Sequence, residues 1–156
     1  MADNDETNNV TILIAEDDDG HAELIRDLLE EVGVRNPTRR FSDGQEVLDF
    51  LAGDTSPPPQ IGHRYLMLLD IRMPRVNGVE VLRRMKADSR LRDIPVIMLT
   101  TSDSPREIQE CYHLGCSCYV TKPVEFGRFA EVLRQLGLFL MIVHLPKLGP
   151  EEEGRA

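Results

Sequence analysis

The feature that most constrains the fold of this chain is a series of short apolar runs, each followed by polar residues and then by an amphipathic stretch. The run at 10–15 ends at Glu16 and Asp17, and the run at 65–69 ends at Asp70. Runs that are apolar at consecutive positions are typical of parallel strands buried on both faces. The stretches between the runs repeat apolar residues at helical spacing. The chain is therefore predicted to alternate buried strands with amphipathic helices.

Five strands and five helices are predicted. The strands are placed at 10–15, 38–41, 65–69, 94–99 and 117–120. The helices are placed between Asp18 or Asp19 and Gly33, between Gly44 and Gly53, from 79 to about Ser89, between Ser104 and Gly115, and from about Glu125 to the low 140s. This order predicts an α/β fold, an open and doubly wound five-stranded parallel sheet covered on both faces by right-handed crossovers.

The length and charge limit the domain organisation and the function classes. With 156 residues the chain is about one domain long, and we expect a disordered tail at 1–9, a folded domain at 10–145 and a frayed, solvated tail at 146–156. The net charge of −9 opposes general binding to nucleic acid or anionic lipid. No apolar run is long enough to cross a membrane, and the polar start lacks the pattern of a secretory signal, so a cytoplasmic protein is predicted.

Three cysteines lie within eight positions, at Cys111, Cys116 and Cys118. Their number is odd, and they lack the paired C-x-x-C spacing of a structural zinc site. We interpret them as reduced thiols, with a metal or redox role as the less favoured alternative.

Polar residues follow four of the predicted strands. They are Glu16 and Asp17, Asp70, Thr100, and Lys122. Ligands of open α/β sheets bind beyond the carboxyl ends of the strands, so these residues are predicted to form one site. Gathered carboxylates need a compensating cation, and Mg²⁺ is the ion that takes one or two carboxylates together with waters and phosphate oxygens.

Such a group of residues favours phosphoryl transfer. Asp70, at the tip of a buried strand, is the candidate nucleophile, while Lys122 and Thr100 would contact the oxygens of the transferred group. The alternative for acids at a helix start is capping, which we assign to Asp18 and Asp19 but not to Asp17. A haloacid-type phosphatase would need an acid where Arg72 stands, and a nucleotide or flavin binder would not place carboxylates after its first strand.

The ordered motifs of the chain resemble those of a response regulator receiver domain, which has a flavodoxin-like fold. The motifs are Glu16-Asp17, Leu69-Asp70-Ile71-Arg72-Met73-Pro74, Asn77-Gly78, Leu99-Thr100-Thr101 and Lys122-Pro123. The resemblance implies that Asp70 accepts a phosphoryl group from a histidine kinase and that Mg²⁺ is the cofactor. It implies metal ligation by Asp17, Asp70, the backbone carbonyl of Arg72, and Glu16 directly or through water.

The resemblance also implies roles around the metal site. Thr100 and Lys122 would contact the phosphoryl oxygens, and the ring of Tyr119 would turn inward when the Thr100 hydroxyl moves toward them. A static core tyrosine is the equal alternative. Such a protein catalyses its own phosphorylation and slow dephosphorylation and is not a conventional enzyme.

Two further features suggest a subgroup and an assembly. The phrases at 99–103 and 118–124 are similar to those of small stand-alone regulators that serve bacterial phytochrome-type kinases. Apolar residues crowd 133–145 more densely than one buried stripe requires, which predicts a homodimer through this region, or alternatively a better-buried helix in a monomer. The competing function is a receiver-like adaptor or dimerisation module that works without phosphorylation.

Overall fold

A computed structural model describes residues 10–149 and arranges them as one five-stranded parallel sheet between two layers of helices. The strand order is β2-β1-β3-β4-β5. The strands are β1 Val10–Ala15, β2 Thr38–Phe41, β3 Arg64–Leu69, β4 Val96–Thr100 and β5 Cys118–Thr121. The helices are α1 Asp19–Glu31, α2 Gly44–Leu51, α3 Gly78–Ala87, α4 Pro105–Leu114 and α5 Phe126–Leu140. The predicted doubly wound α/β fold is confirmed, while the predicted tail at 1–9 lies outside the described residues.

The sheet is buried on both faces, as its uninterrupted apolar strands predict. In β1, Leu13 faces the layer formed by α2, α3 and α4, and its neighbours Ile12 and Ile14 face the layer formed by α1 and α5. β3 continues the same alternation and pairs with β1 over six residues. This central pairing fixes the carboxyl ends of β1 and β3 side by side.

Four of the five helices begin at a side chain that caps the backbone. Asp18, Asp43, Asn77 and Ser104 each accept a hydrogen bond from the amide three residues further on. These are residue types that favour the N-cap position, because a short oxygen-bearing side chain satisfies an otherwise unpaired amide. The capping role predicted for Asp18 is confirmed, whereas Asp19 accepts a hydrogen bond from the Arg40 guanidinium at 2.5 Å.

The chain after α5 returns to the start of β3. Lys147 bridges Arg64 in antiparallel fashion, and the Leu148 amide donates to the His63 carbonyl at 2.7 Å. Leu148 also packs against the core. The prediction of a frayed segment from Pro146 onward is therefore wrong for Lys147 and Leu148, because their backbone pairs with residues 62–64 at the start of β3; 150–156 lie outside the described part of the chain.

None of the helices within 10–149 has the length and apolar character that spanning a membrane requires.

Candidate functional site

The carboxyl ends of β1, β3 and β5 bring three buried charged side chains together. Glu16 and Lys122 are 2% exposed and Asp70 is 7% exposed. Each follows its strand directly, so the sheet pairing places their side chains at the same edge. Buried charges are costly unless they are paired, so this arrangement requires mutual compensation.

Lys122 supplies that compensation. Its Nζ lies 3.0 Å from Asp70 Oδ2 and also donates a short hydrogen bond to Glu16 Oε2. One ammonium group therefore serves two carboxylates that come from residues 54 positions apart. When Glu16 and Asp70 are both ionised, they carry one negative charge more than Lys122 balances.

Asp17 completes a cluster of oxygen donors. One carboxylate oxygen from each of Glu16, Asp17 and Asp70 lies within 4.8 Å of the others, and Asp17 is the exposed member. Hard divalent ions such as Mg²⁺ prefer carboxylate oxygens and retain several waters. The donor set and its solvent-facing side therefore fit Mg²⁺, with the excess negative charge available to balance the ion.

Burial raises the pKa of Glu16 to about 7, against the opposing effect of the Lys122 ammonium. The neighbouring Asp70 carboxylate contributes a smaller part of this rise in the pKa of Glu16. Glu16 therefore gains and loses its proton near neutral pH. A cation held at this cluster would favour the charged form of its carboxyl group.

A glycine allows the chain to pass close behind Asp70. The Gly78 amide donates to the Ile71 carbonyl at 2.8 Å. A Cβ atom at Gly78 would lie 2.0 Å from the backbone oxygen of Asp70, which is far inside van der Waals contact. The absence of a side chain at Gly78 thus lets α3 begin directly against the segment that carries Asp70.

Thr100 and Arg72 flank these charged residues. Thr100 is fully buried, its hydroxyl accepts a hydrogen bond from the Ser102 amide at 3.5 Å, and its carbonyl accepts one from the Lys122 amide at 2.7 Å. The Arg72 amide donates to Asp70 Oδ1 at 3.4 Å, while the Arg72 guanidinium extends into solvent. Both residues are thus linked to the cluster through the backbone.

Tyr119 lies half-buried on β5 and packs against the core. Its hydroxyl donates to the Ser102 carbonyl at 2.7 Å. Burial raises the pKa of the Tyr119 hydroxyl, which keeps this group protonated and able to donate. The ring therefore connects β5 to the loop that follows Thr100.

Two residues that the sequence analysis did not select lie beside the cluster. His21 Nδ1 is 3.4 Å from Lys122 Nζ and 3.9 Å from Glu16 Oε1. Arg40 donates from Nε and Nη2 to the Glu16 carbonyl at 3.0 and 2.9 Å. The only signal for His21 is its place in the first turn of α1, and Arg40 sits in β2 with no motif around it.

Comparison with known proteins identifies a family for this chain. The family model described as the response regulator receiver domain matches residues 12–134. A response regulator receiver domain from Rhodospirillum rubrum has 42% identity and a TM-score of 0.84, covering 90% of this chain and 99% of that one. The phosphorylated cyanobacterial phytochrome response regulator RcpA has 28% identity and a TM-score of 0.77, covering 88% of this chain and 98% of that one.

A curated relative gives the same assignment. The probable methanogenesis regulatory protein FilR2 of Methanothrix harundinacea is 38% identical over 129 residues, which cover 80% of this chain and 79% of the relative. The predicted resemblance, including similarity to phytochrome-associated regulators, is confirmed. Because the family model matches residues 12–134, which include the acidic cluster and most of the sheet, this chain belongs to the response regulator receiver domain family of two-component signalling.

Proposed function

We propose that this protein accepts a phosphoryl group on Asp70 from the phosphohistidine of a histidine kinase, with Mg²⁺ as cofactor. The observation that carries the proposal is the contact of Lys122 Nζ with Asp70 Oδ2 at 3.0 Å, beside two further carboxylates within metal-binding reach. Lys122 would contact the phosphoryl oxygens once Asp70 is modified. Receiver domains of this family receive phosphoryl groups from histidine kinases and bind Mg²⁺ at an acidic pocket.

The transfer is a substitution at phosphorus. An oxygen of the Asp70 carboxylate forms the new bond to phosphorus while the bond to the histidine nitrogen breaks, and that nitrogen retains the electron pair. Glu16, Asp17 and Asp70, with the Arg72 carbonyl, would hold Mg²⁺, which supplies positive charge beside the transferred oxygens. Lys122 supplies a second positive charge, and the Thr100 hydroxyl supplies a hydrogen bond.

Incubation with Mg²⁺ and acetyl phosphate is expected to add one phosphoryl group to each chain, seen by intact-protein mass spectrometry. The product is an acyl phosphate, so the added mass should disappear with hydroxylamine. Replacing Asp70 with asparagine should abolish the addition, because the amide is not a nucleophile for phosphorus.

The matched control is Asp27→Asn, the same change at an exposed carboxylate of α1. It should be phosphorylated like the unmodified protein, and chelation of Mg²⁺ should prevent phosphorylation of both. If the parent protein remains unphosphorylated after incubation with Mg²⁺ and acetyl phosphate, the result would instead support an adaptor that works without phosphorylation.

We also propose that the cognate kinase is of the bacterial phytochrome type. Support comes from the similarity to RcpA, which is named as a phytochrome response regulator. The rate of phosphotransfer from purified phosphorylated kinases shows whether a phytochrome-type kinase or another histidine kinase is the cognate partner. A phytochrome-type kinase should phosphorylate Asp70 faster than unrelated histidine kinases, and equal or slower transfer would contradict the proposal.

A homodimer through the C-terminal helix region is the proposed assembly. Four large apolar side chains of this region are exposed on the single chain: Leu138, Phe139, Met141 and Ile142. On α5, Leu133 and Leu136 are buried against α1 and the sheet, whereas Leu138 and Phe139 are exposed; Met141 and Ile142 follow directly after the helix and are exposed as well. Contiguous exposed apolar surface favours association because its burial releases water.

The double change Leu138→Ser with Ile142→Ser should weaken the dimer at least about tenfold, because burying one such side chain is worth about 1.5–3 kcal/mol. Sedimentation equilibrium measures the dissociation constant. The control is Ile61→Ser, an equally exposed isoleucine outside the C-terminal region, which should leave the constant unchanged. A monomeric parent protein would contradict the assembly.

We propose that Thr100 and Tyr119 change conformation on phosphorylation, with the Tyr119 ring turning inward when the Thr100 hydroxyl moves. The hydrogen bond from the Tyr119 hydroxyl to the Ser102 carbonyl supports this role, since Ser102 is two residues from Thr100. A displacement of the Thr100 hydroxyl would move the loop that the Tyr119 ring contacts. Tyr119→Phe keeps the ring but removes the hydroxyl that bonds to this loop. The NMR shift changes of residues 101–104 on phosphorylation should therefore differ between the variant and the parent protein. Unchanged shifts relative to the parent protein would contradict the role.

A further inference from the structure

Glu107, in the first turn of α4, contacts the two loops that flank Asp70 and Thr100. Its Oε1 accepts a hydrogen bond from the Ser102 hydroxyl at 2.8 Å. The same oxygen lies 3.9 Å from Nη2 of Arg72. Glu107 therefore connects the residue two positions after Asp70 with the residue two positions after Thr100.

Glu107 is also part of the structure that begins α4. Ser104 is the N-cap and accepts from the Glu107 amide at 3.4 Å. In a simple capping box the acid side chain returns to the N-cap amide. Here the Ser102 hydroxyl bridges the Glu107 carboxylate and the Ser104 amide. It accepts a hydrogen bond from the Ser104 amide at 3.4 Å and donates one to Glu107. The Glu107 carboxylate is therefore linked to the start of α4 through the Ser102 hydroxyl.

The Arg72 contact is loose, while the Ser102 contact is a normal hydrogen bond. The Arg72 side chain is 72% exposed, and 3.9 Å is beyond hydrogen-bond distance. Exposed ion pairs of this kind contribute little to stability. The Arg72 guanidinium can therefore leave Glu107 at small cost when a stronger anion appears nearby.

A phosphoryl group on Asp70 would be such an anion. The Arg72 amide already bonds to Asp70 Oδ1, which places the base of the arginine side chain beside the acceptor. Arginine binds phosphoryl oxygens through two parallel hydrogen bonds, which are stronger than a loose pair with one carboxylate oxygen.

We propose that Arg72 exchanges Glu107 for the phosphoryl group when Asp70 is modified, so that Glu107 couples phosphorylation to the first turn of α4. This inference rests on the proposed phosphorylation of Asp70. Because the two partners compete for one guanidinium, the coupling is reciprocal: weakening the Glu107 contact must strengthen binding of the phosphoryl group. Glu107 is a positioning residue, since it acts through Arg72.

Beryllofluoride, a non-covalent mimic of the phosphoryl group, allows an equilibrium test in the presence of Mg²⁺. Glu107→Gln should tighten beryllofluoride binding by about two- to fivefold, the range expected for loss of an exposed ion pair. The glutamine oxygen can still accept the Ser102 hydrogen bond, so unfolding midpoints should stay unchanged. Titrations followed by ¹⁹F NMR measure the affinities.

Two controls isolate the exchange. Glu110→Gln removes the same charge from the same helix, where Glu110 pairs with Arg83, and should leave the affinity unchanged. In an Arg72→Gln background the Glu107→Gln change should have no effect, because the competing guanidinium is gone. Hydrogen exchange of the amides at 104 and 106–108 should rise on beryllofluoride binding in the parent protein and not in Arg72→Gln.

The outcomes separate the two claims. The partner exchange alone would be overturned if Glu107→Gln and Glu110→Gln bound beryllofluoride with equal affinity. It would also be overturned if Glu107→Gln tightened binding as much in the Arg72→Gln background as in the parent protein. Failure of the parent protein to bind beryllofluoride would overturn phosphorylation of Asp70 and the exchange with it.

Discussion

Replacing Lys122 with methionine is expected to lower the free energy of unfolding by about 3–5 kcal/mol at about pH 8, the cost of removing one partner from a buried ion pair. Lys122 is the residue whose ammonium contacts both Glu16 and Asp70, and all three side chains are buried. Methionine nearly preserves the length of the side chain, so the loss of charge dominates over the loss of volume. Two carboxylates would then face one another without a cation.

The destabilisation should depend on pH with a definite sign. The pKa of Glu16 is raised from 4.5 to about 7 in the folded protein, mainly by burial. Between those values the folded chain binds more protons than the unfolded chain, so the contribution of Glu16 to stability falls as pH rises. Lys122 lowers the pKa of Glu16, so removing Lys122 raises this pKa. The contribution of Glu16 to stability then continues to fall up to a higher pH. The difference between Lys122→Met and the parent protein should narrow at about pH 5, where Glu16 is protonated.

Urea unfolding at both pH values, without divalent ions, measures this difference. The control is Arg128→Met, which removes one positive charge from an exposed site on α5 and should change stability little at either pH. A Lys122→Met protein as stable as its parent at pH 8 would show that Lys122 does not compensate the two carboxylates.

Gly78→Ala is expected to destabilise the fold by about 3 kcal/mol, because a methyl group cannot be accommodated without moving backbone. The added Cβ would meet the Asp70 oxygen at 2.0 Å and the Ile71 Cα at 2.9 Å. Neither atom belongs to a flexible side chain that could turn away. The shift needed to relieve the contact would displace Asp70, so phosphorylation by acetyl phosphate should also slow.

The matched change is Gly127→Ala in the first turn of α5, where the nearest atom is Oε1 of the exposed Glu125 side chain at 3.3 Å. That side chain can move, and alanine favours helix, so stability should stay the same or rise. Thermal unfolding of both variants supplies the comparison. Equal midpoints would contradict the close approach of α3 to the Asp70 segment.

The apolar runs and the capping residues were sufficient to predict the order of the elements. Strands such as 10–15 can be buried only between two layers, and residues such as Ser104 and Asp18 mark helix starts through local chemistry. The location of Glu16, Asp17, Asp70 and Lys122 at one edge also followed, because parallel strands present their carboxyl ends together.

Other features depend on distances between segments that no local pattern encodes. The pairing of Lys147 and Leu148 with the start of β3 depends on where α5 ends relative to that strand. His21 and Arg40 became neighbours of Glu16 only through the packing of α1 and β2 against β1.

Residue order and hydrophobic periodicity therefore determined which elements form and which face of each is buried, because both depend on neighbours along the chain. Tertiary packing decided the rest: that Lys122 serves two carboxylates, and that Glu107 lies between Arg72 and Ser102. Hydrogen bonds and ion pairs of this kind act over a few ångströms, so they exist only once the three-dimensional structure has set those distances.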